Sequence, residues 1–200
     1  MRRASHRPDI HGPNPAQLRI LSLLLLTPVM SLCAPASVWA ALSASVADMA
    51  FPALSYSHGA QSVTGSLTLD ATDTGSGGLL GTTNAGWNVT IQSSALAYSG
   101  PNAGTAIPAA NLAITAAHPP TWLSGQQISP SGGPRTTNVT GSLDVARKTL
   151  QADGPSGVLV RTYYGIGTYR QIIDVSLSVP GQSRAGTYTS TLTVTMSAGP

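Results

Sequence analysis

Residues 41–200 offer little for catalysis: two histidines, six aspartates, no glutamate and no cysteine. His58 precedes Gly59 and His118 precedes Pro119-Pro120, both turn contexts. Neither stands at a spacing from a carboxylate or hydroxyl that would make an acid–base pair, a nucleophile elbow or a metal set. The pattern predicts a chain that is not an enzyme. Asp70 and Asp73, flanked by Thr72, Thr74 and Ser76, form a weak calcium candidate. Calcium takes about six to eight oxygens, so two carboxylates are few, and an aspartate at a turn more often bonds its own backbone. No metal and no cofactor are expected. Binding has better material. Tyr163, Tyr164 and Tyr169 gather around Gly165-Ile166-Gly167 with Arg161 close by, and Trp122 follows the two prolines. Aromatics and arginines concentrate binding energy, so these five residues are the expected contacts for a sugar polymer or a protein. Packing over the end of a domain is the other fate of such a loop.

The elements that must position these groups are strands. Residues 41–200 hold 21 Thr and 20 Ser against 12 charged side chains. Threonine and β-branched residues favour strands, while the usual formers of helical surfaces are scarce. Val63, Leu67 and Leu69 alternate with Thr64, Ser66 and Thr68, and Trp87, Val89 and Ile91 with Asn88, Thr90 and Gln92. Ile173, Val175, Leu177 and Val179 alternate with Asp174, Ser176 and Ser178; Tyr188, Leu192, Val194 and Met196 form the last apolar series. Such alternation is that of half-buried antiparallel strands, with Trp87 a core aromatic. Weaker strands are expected at 48–56, 111–116, 137–146, 148–152 and 157–164. Turn-rich segments separate them, and Pro180–Gly186 should join the last two strands as a hairpin or by crossing between sheets. The sum is an all-β, Ig-like antiparallel β-sandwich of about eight or nine strands, one domain over residues 41–200.

Residues 1–40 read differently. Arg2, Arg3, Arg7 and Arg19 precede the apolar run Ile20–Leu32, and Ala36-Ser-Val-Trp-Ala40 supplies small residues where a signal peptidase cuts. The run is shorter than the roughly 18 to 20 apolar residues that cross a bilayer. It is therefore expected to be a secretory signal peptide cleaved after Ala40, leaving no transmembrane segment. Cys33 leaves with it; Leu32 before it does not suit lipid attachment. The seven acids and ten bases of the chain become six and six once Asp9, Arg2, Arg3, Arg7 and Arg19 are removed. A net charge of zero gives no reason to expect nucleic acid as a partner.

The order of the motifs resembles the WxL family of bacterial cell-surface domains. Phe51–Tyr56 and Gln61–Leu69 are similar to that family's opening strands. Asp70-Ala-Thr-Asp73-Thr-Gly75, a glycine-rich stretch and Ala85-Gly86-Trp87-Asn88-Val89 are similar to its aspartate, glycine loop and Gly-Trp-x-Leu core. Gly186-Thr-Tyr188 through Met196 is similar to its closing strand. Val89 stands where the family has leucine, and Val194 and Met196 where its second signature has tryptophan and leucine, so the chain reads as a divergent member. The resemblance implies a non-enzymatic surface protein held non-covalently to cell wall (peptidoglycan) or to other envelope proteins, with Asp73, Gly86, Trp87, Val89, Gly186 and Tyr188 as signature residues. Ala185-Gly-Thr-Tyr188 and the alternating threonines after it also resemble the last strand of fimbrial or spore-coat subunits, which implies the alternative of a structural subunit. The expected location is secreted and extracellular, at the cell surface. N-terminal sequencing of exported protein should begin within a few residues of Ala41; membrane-held material that keeps Arg2 and Arg3 would refute the leader.

Overall fold

The computed structural model describes residues 42–75, 85–157 and 162–200. The expected leader, the glycine-rich stretch after Gly75 and residues 158–161, which include Arg161 and half of the strand expected at 157–164, lie outside the described residues. The described chain is all-β, with one 3-10 turn at Ala109–Asn111. In chain order the strands are β1 (Leu42–Val46), β2 (Gln61–Asp73), β3 (Trp87–Ser93), β4 (Ala97–Ser99), β5 (Leu112–Ala117) and β6 (Thr121–Gly125). They continue as β7 (Arg135–Thr136), β8 (Gly141–Ser142), β9 (Arg147–Ala152), β10 (Gly167–Val179), β11 (Thr187–Thr189) and β12 (Leu192–Ala198). Eight of the twelve have five residues or more. One sheet runs β1-β2-β10-β5-β8, with β6 also on β10; the second runs β12-β3-β9-β7; β4 and β11 form a short ribbon. All pairings are antiparallel.

The alternation read from the sequence becomes the two faces of these sheets. Leu67, Leu69 and Ala71 of β2, Ile173 and Val175 of β10 and Ile114 of β5 meet Trp87, Val89 and Ile91 of β3 and Leu150 of β9 in one buried core. Burying each large apolar side chain stabilises by about 1.5–3 kcal/mol. The outer face of the first sheet carries hydroxyls and charges. Arg170 grips Asp70 through two hydrogen bonds of 2.8 and 2.7 Å, Ser66 donates to Asp174 at 2.8 Å, and Thr72 meets Thr168 at 3.2 Å. Each of these pairs is directly opposed in the β2–β10 register.

Four expectations need correction. The segment expected as a strand at 48–56 is irregular. In β1 the residues facing inward are Leu42, Ala44 and Val46, opposite Asp73, Ala71 and Leu69. Two residues further in the same register, Asp48 would face the core opposite Leu67, and the apolar Met49 and Phe51 would face out. The phase of the sequence breaks, and the ladder stops. At 137–146 only Gly141–Ser142 is a strand, ending in a turn at Leu143-Asp144. Trp122, expected in a loop, lies in β6 on the edge of β10. Finally, Tyr188 to Met196 is two strands: β11 pairs with β4 and β12 with β3, so the Pro180–Gly186 segment crosses between sheets.

Trp87 is fully buried, its Nε1 donates to the Gly165 carbonyl at 3.0 Å, and its ring sits 6.2 Å from that of Tyr169 in the opposite sheet. Both flanking glycines are required. Gly86 has φ +78° and Gly165 φ +76°, and a Cβ on Gly165 would lie 2.8 Å from the indole nitrogen. Trp87→Ala empties the middle of the core and should cost about 3–5 kcal/mol, read as a fall in the denaturant midpoint; an equally stable variant would place Trp87 outside the core.

Candidate functional site

At the end of the sandwich away from Trp87 the sheets part around a groove of about 880 Å³. Its floor is core: Val63 of β2, Leu112 of β5, Leu177 of β10 and Leu192 and Val194 of β12. One wall is the irregular arm after β1. Ala47 N still donates to Thr68 O at 3.1 Å; the arm then crosses the gap, and Ser57 O accepts from Gln182 N at 2.8 Å. Met49 and Phe51 pack inward against Gly65, where a Cβ would come within 2.8 Å of the Met49 sulfur and 3.2 Å of the Phe51 ring. Leu54 and Tyr56 stay 40% and 60% exposed at the rim. The other wall is Ala185–Tyr188. Tyr98 and Tyr188 pack 5.3 Å apart, Tyr98 Oη donates to Ala185 O at 2.9 Å, and Tyr188 Oη donates to Arg184 O at 3.0 Å. The charged residues of the lining are Asp48 and Arg184. An apolar floor beneath walls that also carry Ser55, Ser57, Gln61, Thr187 and Ser190 suits an extended segment that brings both apolar side chains and a hydrogen-bonding backbone.

The residues expected to make contacts are divided by the structure. Tyr169 is fully buried on β10, donating to Gln126 O at 2.6 Å, and Tyr163 is 8% exposed. Both side chains are turned inward and offer little surface, where the sequence reading expected exposed contacts. Tyr164 is half-buried, its hydroxyl bonded to Ser156 at 2.7 Å. Trp122 alone of the described candidates is substantially open, 43% exposed beside Leu123 at 43%. Sequence reasoning missed the groove because its apolar residues come from seven separate segments, and those of the arm, Met49, Phe51, Leu54 and Tyr56, follow neither strand nor helix spacing.

The signature residues are placed as follows. Trp87 and Val89 are buried, and β12 lies beside β3 with Met196 opposite Val89 and Val194 opposite Ile91. The two segments that carry the resemblance are therefore hydrogen-bonded neighbours. Gly186 lies against the Tyr98 ring, and Tyr188 completes that ribbon. Asp73 is 2% exposed, and its Oδ1 accepts the Gly75 N–H at 2.7 Å, the Asx-type turn that competes with metal binding. Asp70 faces the other side of β2 and is held by Arg170. The two carboxylates cannot share a cation. No cluster of three or more His, Cys, Asp or Glu side chains suited to a metal occurs among the described residues.

One further constellation joins residues far apart in sequence. His118 Nε2 lies 2.8 Å from Asp174 Oδ2, and Ser66 Oγ donates to the same carboxylate's Oδ1 at 2.8 Å. The carboxylate sits in the middle, so the serine proton faces Asp174 and not the imidazole. Hydrogen bonds from His118 and Ser66 hold the Asp174 carboxyl below its ordinary value, which makes it a poor base for a hydroxyl. Asp70 and Asp153 are likewise lowered, chiefly by hydrogen bonds from Arg170 and Arg135. All three contribute stability above the ordinary carboxyl value of 3.8, lost as pH falls through the lowered folded values.

Compared with known proteins, the chain matches no family model, no curated protein and no solved structure. No helix among the described residues is long and apolar enough to cross a membrane.

Burial, with a smaller contribution from the Asp73 charge, pushes the Tyr169 hydroxyl up from 10.0 to about 12. A raised folded value means that Tyr169 contributes its stability in full below pH 10 and loses it as pH climbs toward about 12. Tyr169→Phe, which leaves the Gln126 carbonyl without its donor, should lower the melting temperature at neutral pH. It should also flatten the loss of stability between pH 10 and 12 seen in the parent; the same alkaline slope in both proteins would show that Tyr169 does not titrate there.

Proposed function

We propose that this chain is a non-enzymatic, exported surface protein that works by association, seating an extended apolar segment of another envelope protein at the open end of its sandwich. The observation that carries this reading is the groove. Its floor is the hydrophobic core itself, and its rim leaves Leu54 and Tyr56 uncovered. Contiguous apolar surface of this kind on a secreted domain is a site of interaction. The Ser- and Thr-rich outer faces offer many weak hydrogen bonds and few large anchors, whereas interface energy gathers in a few big side chains. A second reading, direct attachment to wall polymer, follows from the likeness to the WxL family and is favoured by Trp122. An exposed tryptophan on an edge strand is a platform on which a sugar ring can stack.

Binding of the exported protein to envelopes, to protease-treated envelopes and to purified peptidoglycan separates the two. The protein reading expects capture that protease abolishes and that Leu54→Asp combined with Tyr56→Asp reduces roughly tenfold, about 1.4 kcal/mol, with little change in melting temperature. Capture by purified peptidoglycan that is lost in Trp122→Ala and kept in the groove variant would replace it with the wall reading.

A further inference from the structure

Gln171 is the longest polar side chain buried in the sandwich, and a break in the ladder explains its place. On one edge of β10, β6 pairs with Gly167–Arg170 and β5 with Ile173–Leu177, which leaves Gln171 and Ile172 between them. The chain passes from β5 to β6 through His118-Pro119-Pro120, and a proline has no N–H to offer a ladder. His118 spans part of the gap, its N donating to Ile172 O at 2.9 Å. Gln171 spans the rest from inside: its Nε2 donates to His118 O at 2.9 Å and, across the core, to Thr149 O of β9 at 3.1 Å. One amide therefore ties the two sheets together. Its orientation is fixed, because turning it over would set its oxygen against two carbonyl oxygens and forfeit both bonds.

Thr149 is brought there by a β-bulge. β9 pairs Lys148 with Thr90 and Leu150 with Val89, so Thr149 is the extra residue. Thr149 and Leu150 are both fully buried, where strict alternation would turn one of them outward. The bulge thus puts a hydroxyl into the interior, on the residue that the Gln171 amide meets. Gln171 Oε1 and Thr149 Oγ1 are both cut off from solvent, and neither has a hydrogen-bond partner among the described residues. A buried polar atom left unanswered costs more than a made bond returns, and here two occur on residues already in contact.

We infer that an internal water molecule sits between the two sheets, held by Gln171 Oε1 and Thr149 Oγ1. The chemistry of the pair selects water. The amide oxygen can only accept and the hydroxyl has a proton to give; a water takes that proton and gives one of its own to the amide. His118 O, which among the described residues accepts from Gln171 Nε2 alone, has a lone pair left for the second proton. That makes three partners, the usual number for a buried water. Thr149 O is already occupied twice, by Gln171 Nε2 and by Thr137 N at 3.1 Å. None of these residues lines the groove, so the inference stands apart from the association reading.

A crystal structure of the exported protein should show one ordered water within about 2.5–3.2 Å of both atoms. Thr149→Val, which keeps the shape of the side chain and removes its hydroxyl, decides by its sign. Where water answers the hydroxyl, valine takes away one of the groups that hold it, and the melting temperature should fall by about 2–4 °C. Where the hydroxyl is unanswered, valine removes a buried cost and the melting temperature should rise. Thr149→Ser should keep the water in its crystal structure, and Thr149→Val should lose it. The inference is overturned by a dry contact between Gln171 and Thr149 in the unaltered protein, by a Thr149→Val protein as stable as its parent or more so, or by a water that survives in that variant.

Discussion

The thirteen-pair ladder between β2 and β10 is the constraint on which the rest of the molecule hangs. Both strands present one apolar face, and side chains alternate with a period of two. A slip of one residue would therefore turn one strand's apolar set, Leu67 and Leu69 or Ile173 and Val175, to solvent and bring Asp70 or Arg170 into the core. The outer face reinforces the choice, because Asp70 meets Arg170, Ser66 meets Asp174 and Thr72 meets Thr168 only in the observed register. As partly exposed contacts these add little stability, but they discriminate between registers. β10 then receives β5 and β6 along its other edge, so the one strand sets the place of four others directly or through β2.

Much of this was legible. The alternating series at 63–69, 87–91 and 173–179 fall in the strands β2, β3 and β10, the last series at 188–196 is divided between β11 and β12, and the all-β sandwich follows from them. Trp87 was readable as core because its neighbours at every second position are apolar. What the sequence did not display is which strand lies beside which: β2 and β10 are about a hundred residues apart, and the bond from His118 to Asp174 spans 56 positions. The tyrosines show a different limit. Glycines around Tyr163, Tyr164 and Tyr169 looked like a contact loop, yet a side chain on Gly165 would run into the Ala152 Cβ and the Trp87 indole nitrogen. The same residue type permits a flexible loop and a tightly packed turn, and local sequence does not tell them apart.

The open groove between the sheets follows from one break in phase. Leu42, Ala44 and Val46 sit at even positions and Met49 and Phe51 at odd ones, with Asp48 between them. A regular continuation of β1 would bury a carboxylate against Leu67, and desolvating an unpaired charge costs more than a few ladder hydrogen bonds return. The chain leaves the ladder, turns its apolar residues inward by an irregular path and covers Gly65 with Met49 and Phe51. β2 keeps an unladdered edge as the consequence, and the groove lies beside it.

The two ends of the sandwich are therefore built on different physics. At the closed end three buried polar groups are held by directional bonds: Trp87 donates to Gly165, Tyr169 to Gln126, and Asp73 accepts from Gly75. Each of those bonds is directional and demands one geometry, so this end has no freedom to accept a partner without breaking something buried, and a lost partner there leaves a desolvated group uncompensated. At the open end the floor is aliphatic and the covering arm is tied to β2 by a single backbone bond beyond β1. Apolar contact is non-directional, so it tolerates replacement of one covering segment by another. A change of covering segment at that end would break no buried polar pair, which is the physical ground for proposing association there.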